Sequence, residues 1–177
     1  MKALLVVGII GMSMQLAASD LLQELDIHLE PIWQNLETNP AKIKQFGGKW
    51  ILIGSITFKK RSRDTIYLNN LHLCWQGKPI NNLIGTLYKK TAGKDFLPIE
   101  ENVVCDGAWN NQQQKLLLTF DKQFALGLNN TFYLVLTVPE TLEPDLRQGS
   151  FTLDEKSLPE PFKFYLHNKQ LALAYRK

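Results

Sequence analysis

From residue 49 to the end of the chain, apolar and polar positions alternate with a period of two. That is the pattern of strands whose successive side chains point to opposite faces. The clearest case is 49–60, with Trp50, Leu52, Ile56 and Phe58 on one face and Ile51, Ile53 and Thr57 on the other. Apolar residues on both faces predict a strand covered on both sides, and Gly54 predicts a bulge or a close approach. Further strands are predicted at 65–76, 82–90, 102–109, 115–120, 131–138, 150–153, 162–167 and 171–175. Asn168-Lys169 reads as the turn of a terminal hairpin. Short strands separated by turn residues, with no amphipathic helix between them, predict a mainly β fold. The expected architecture is an antiparallel β-sandwich, immunoglobulin-like or jelly-roll-like.

Within 65–76, Leu68 and Leu71 are three apart and cannot share a face of a regular strand, so Asn69-Asn70 predicts a bulge that resets the register. Beyond it Leu71, Leu73 and Trp75 point one way, and His72, Cys74 and Gln76 the other. Cys74 is thereby placed off the main apolar face.

The first 48 residues read differently. Lys2, the apolar run from Ala3 to Met14 and the small residues Ala17-Ala18-Ser19 fit a signal peptide over 1–19, with an uncleaved anchor as the alternative. The run is shorter than the ~20 residues that span a bilayer. Over 20–48 the leucines at 21, 22, 25, 29 and 36, with Trp33, recur at helical spacing, and Asp20 with Gln23 resembles a capping box. This predicts a helical N-terminal extension, kinked or ended at Pro31 and joined by Gly47-Gly48 to a β domain over 49–177. Leu25, Ile27 and Leu29 also alternate, so a strand up to Glu30 is the competing reading.

Composition narrows the class. With 45% hydrophobic and 21% charged residues, the 177-residue chain is that of a folded globular protein. A net charge of +3 is too small to imply nucleic acid. No segment after the leader is apolar enough to cross a membrane as a helix, so no membrane span is expected after cleavage. Periplasmic or secreted localisation follows. In such an oxidising compartment the two cysteines, Cys74 and Cys105, are expected to form a disulfide. The bridge would constrain the unfolded chain by roughly 3–4 kcal/mol.

The catalytic inventory is thin. His28, His72 and His167 lie in different predicted elements, and no nucleophile elbow, phosphate loop or metal motif is present. The chain is read as a non-enzyme that needs no cofactor or metal. Two features point to binding. Lys59, Lys60, Arg61 and Arg63 follow one predicted strand, and Lys89 and Lys90 another; an up-down-up meander would bring them to one pole. Trp109, followed by Asn110 and Asn111, is a candidate stacking platform for a glycan. The expected role is a component of a cell-envelope or secreted assembly, held to a protein partner through surface and strand-edge contacts. An anionic surface is a further candidate partner, and a carbohydrate-binding module is the alternative reading. Asn129-Asn130-Thr131 is a formal glycosylation sequon.

Overall fold

The structure, a computed structural model, describes residues 24–36, 48–61, 63–91, 93, 96–159, 163–168 and 170–172. The strands are β1 (Glu24–Leu36), β2 (Gly48–Lys60), β3 (Ile66–Gln76), β4 (Ile84–Lys89), β5 (Val103–Asn110), β6 (Lys115–Leu126) and β7 (Asn129–Pro139). A single helical turn α1 (Glu143–Leu146) is followed by β8 (Ser150–Leu153), β9 (Lys163–His167) and β10 (Gln170–Ala172). The mainly β expectation holds, but the strands do not divide into the two separate sheets of a sandwich. They form one ten-stranded sheet, in the order β10-β8-β3-β6-β5-β4-β7-β2-β1-β9, curled into a half-barrel. Every pairing is antiparallel except β1 with β9.

Residues 24–36 are a strand, which corrects the helical extension. Leu25, Ile27 and Leu29 are fully buried on the concave face, so the period of two won over the helical spacing. Pro31 is accommodated where the β1–β2 register shifts, between Pro31 and Gln34. Since β1 pairs with both β2 and β9, it belongs to the sheet and is no hinged extension. The predicted leader and the Asp20–Gln23 capping box lie outside the described residues.

The concave face holds the main core. Two shifts in pleat decide which side chains reach it. In β2 the register against β7 shifts between Leu52 and Gly54, so Ile56 and Phe58 join Ile51 and Ile53 inside. Trp50 and Leu52 face outward, where they pack with Tyr88 and Val135 in a second, convex-side cluster. In β3 the register against β6 shifts between Leu68 and Asn70, and both Leu68 and Leu71 end up buried in the core. Burial of each such side chain is worth roughly 1.5–3 kcal/mol, so the pleat resets are selected by the core itself.

Asn168 adopts a left-handed conformation (φ +53°), but β9 and β10 do not pair with each other. β9 lies along β1 at one end of the sheet order and β10 along β8 at the other. The expected terminal hairpin is instead a step that carries the chain from one sheet edge to the other.

The cysteines are not bonded. Cys74 stands opposite Lys115 of β6 and Thr152 of β8, on the convex face. Cys105 is buried in the concave core on β5, with β6 between the two. Side chains on opposite faces of a sheet cannot bring their sulfurs to bonding distance. The expected disulfide is corrected on that ground.

Candidate functional site

The basic residues do share a pole, by a different route from a meander. β2 and β3 are not neighbours; β2 and β4 each run antiparallel to β7, which lies between them. Their C-terminal ends therefore emerge together, with Lys59 opposite Asn129 and Lys89 opposite Phe132. Between them Leu128, in the link from β6 to β7, is 66% exposed, and its carbonyl accepts from the Lys60 backbone N–H at 3.0 Å. Lys59, Arg63, Lys89 and Lys90 are exposed, whereas the Lys60 ammonium donates to the Asp64 carbonyl at 2.6 Å. Glu100 and Glu101 lie in the turn before β5, whose start pairs with the end of β4 at this same pole.

Arg61 does not belong with the free cations. Its guanidinium donates to both Asp26 oxygens (Nε 2.9 Å, Nη2 3.2 Å) and to Glu24 (Nη1 3.0 Å), and stands over the Tyr165 ring at 5.2 Å. The Tyr165 hydroxyl donates to Glu24 at 2.9 Å. Arg61 thus ties the end of β2 to the outer side of the β1–β9 seam. Alongside, His28 and His167 stand opposite each other in register, their rings stacked with centroids 4.4 Å apart and planes 8° apart. His167 Nε2 is 3.4 Å from Asp26 Oδ1. Burial, the His167 charge and Lys59 push the His28 imidazole below its ordinary value, against the pull of Asp26. At Asp26 burial works upward, but hydrogen bonds from Arg61 and His167 outweigh it and hold the carboxyl low. Sequence reading missed this seam, because a helical reading of 24–36 puts His28 on no sheet face.

On the convex face, His72 and Cys74 fall on one side, as expected, beside an ion pair between Lys115 and Asp154 (2.9 Å). Burial pushes the Cys74 thiol up and the His72 imidazole down. No hydrogen bond joins His72 to Cys74 among the described residues. A protonated thiol without a base is no nucleophile. Among the described residues no three His, Cys, Asp or Glu side chains are grouped to hold a metal ion. No helix among them is long and apolar enough to cross a membrane.

Trp109 lies at the opposite pole. It is half-buried, its ring against Phe151 (6.3 Å, edge-on), and its Nε1 donates to the Ile80 carbonyl at 3.0 Å. The Gln114 amide holds the same segment from both sides, accepting from Ile80 N–H at 2.8 Å and donating to Ile80 C=O at 3.1 Å. So fixed, Trp109 borders a cleft of about 530 Å³ with Asn82, Ile84, Asn111, Thr137 and Pro139, and every described residue lining it is uncharged. The other tryptophans are structural: Trp50 and Trp75 are buried, and Trp33 carries the Arg147 guanidinium at 4.4 Å. That Asn82 and Thr137 border the same cleft as Trp109 was not legible, since they come from the loop before β4 and from β7, two strands further along the chain.

Compared in sequence with protein-family models and with curated proteins, the chain matches none.

Proposed function

We propose that the protein is an exported, non-enzymatic binding component of a cell-envelope or secreted assembly, acting through protein–protein contacts. One observation carries this reading: four exposed cations, Lys59, Arg63, Lys89 and Lys90, lie at the same end of the sheet as the exposed Leu128, a pole braced by three strands. A positive pole that also exposes an apolar side chain suits an acidic protein surface with a shallow apolar recess, and the positive charge speeds encounter. The same reading takes the curled sheet as a variant of an antiparallel sandwich, supported by Phe124 of β6 and Phe132 of β7 meeting at 5.2 Å. Export rests on the pattern of residues 1–19, and the unbonded cysteines no longer speak for an oxidising compartment.

The test is capture of partners from a native envelope extract by the wild type and by a Lys59→Glu, Arg63→Glu, Lys89→Glu, Lys90→Glu variant. Arg61 is spared, because its reversal would break the β1–β9 seam. A stoichiometric partner lost on charge reversal is expected; capture that is unchanged would sink the reading. The carbohydrate-binding alternative is favoured by one observation of its own, the uncharged cleft beside Trp109.

A further inference from the structure

The stacked histidines on the outer side of the β1–β9 seam serve neither the core nor the basic pole. His28 and His167 face each other in register, their rings 4.4 Å apart and 8° from parallel. Two neutral imidazoles stack as aromatic rings do, and one imidazolium on a neutral ring is a cation on a π face. Two imidazolium rings at that spacing repel. The surroundings decide what each proton meets. A proton on His167 Nε2 lies against Asp26 Oδ1, 3.4 Å away. A proton on His28 meets the His167 charge and that of Lys59, which stands opposite Asp26 on β2. The Asp26 carboxylate that would answer it is already shared between Arg61 and His167. Among the described residues, the other charged or titratable groups on this side are Glu24, which accepts from Arg61 and Tyr165, and the exposed Glu30 further along β1.

We infer that this pair is an acid-operated latch on β9, closed while the two rings carry at most one proton and opened by the second, which drives β9 off β1. The inference does not depend on the partner reading of the basic pole. β9 is the element placed to give way. It stands at the end of the strand order and meets β1 in parallel, a pairing slightly weaker per residue, over five register pairs. On its other side β1 is held to β2 by ten. When the seam parts, His28 therefore stays with the sheet and His167 leaves with β9. Leu166 of β9 is only partly buried against the core, so freeing it costs less than freeing a core leucine. The opening is local, because beyond the left-handed Asn168 the chain is anchored again: Leu171 of β10 is fully buried and paired with β8. Linkage gives the direction. Burial first, then the His167 charge and Lys59, hold the folded His28 below free histidine. An opened seam binds that proton more tightly, so acid favours opening.

The experiment follows amide hydrogen exchange of the full chain by NMR between pH 7.5 and 5, with and without low urea. Protection of the β9 amides is expected to fall about tenfold, the equivalent of one pKa unit of coupling between the rings. Their exchange should be indifferent to urea, as local opening is, whereas the β3 and β6 amides exchange by urea-sensitive unfolding. His28→Asn should keep β9 protected across the range. His167→Asn removes the facing charge and should raise the His28 titration, read from its ring protons, toward that of free histidine. That comparison needs only the wild type and the His167 variant, so it decides the matter even if His28→Asn fails to fold. β9 amides that keep their protection at pH 5, or that open only together with β3 and β6, overturn the inference. So does an equal acid loss in His28→Asn, or a His28 titration indifferent to His167→Asn.

Discussion

Cys74 and Cys105 are separated by the pleat as much as by distance. Leu71, Leu73 and Trp75 face the core, so Cys74 between them faces out; Cys105 lies on the same side as Gly107, where an added Cβ would meet the core side chain of Leu118 on the adjoining strand β6. The outward placement of Cys74 was legible from alternation alone. Cys105 was not, because its face depends on which strands flank β5, and a cysteine count carries no such information. Burial raises the Cys74 thiol and pushes Cys105 up to about 12, with Asp106 and Asp121 adding to it. Iodoacetamide at pH 8 should therefore label Cys74 slowly and leave Cys105 untouched until the chain is unfolded. Intact-mass analysis checks this directly. A mass two hydrogens short of the dithiol, or native labelling of Cys105 at the rate of Cys74, would contradict the arrangement.

At the scale of elements, most strands were read close to their observed bounds, and β1 was the failure. Its sequence satisfies two periods at once, and only a partner strand can choose between them. Here β2 supplies ten register pairs on one side and β9 five on the other. The β1–β9 seam also makes a pH prediction. Free histidine titrates near pH 6.5. With His28 lowered in the fold, the unfolded chain takes up its proton first as pH falls. This contribution to stability is complete above about pH 6.5 and is lost as pH drops through the lower folded value. Asp26, also lowered, extends the loss below about pH 4. The groups facing the pair are Asp26 and Glu24 on β1, Lys59 and Arg61 at the end of β2, and Tyr165 on β9. Thermal unfolding should thus show Tm falling between pH 7.5 and 5, and His28→Asn should flatten that limb. His72, lowered in the same sense, keeps the slope from vanishing. A limb unaltered by His28→Asn would mean that the stacked pair carries none of it.

For the whole molecule, strand order was the part the sequence could not supply. The two-residue link Gly127-Leu128 has the length of a hairpin turn, yet β6 and β7 do not pair and instead meet across the concave face. Such crossings are set by the curl of the sheet, and the curl is closed by the chain's last described strand. Leu171 of β10 is fully buried, and Gly54 of β2 is the surface it meets. A methyl group added at Gly54 would lie 2.7 Å from the Glu30 carbonyl oxygen and 2.7 Å from Leu171 Cδ2. Gly54→Ala should therefore cost about 1–3 kcal/mol, the usual range for overpacking, and Leu171→Ala about 2–5 kcal/mol. If β10 closes the half-barrel on β2, the two changes must couple. Shortening Leu171 makes room for one of the two clashes and leaves the backbone clash with Glu30 in place, so the double variant should lose less than the sum by about 0.5–1.5 kcal/mol. Urea unfolding of the four proteins measures this cycle. Strict additivity would mean that Leu171 and Gly54 stabilise the sheet separately.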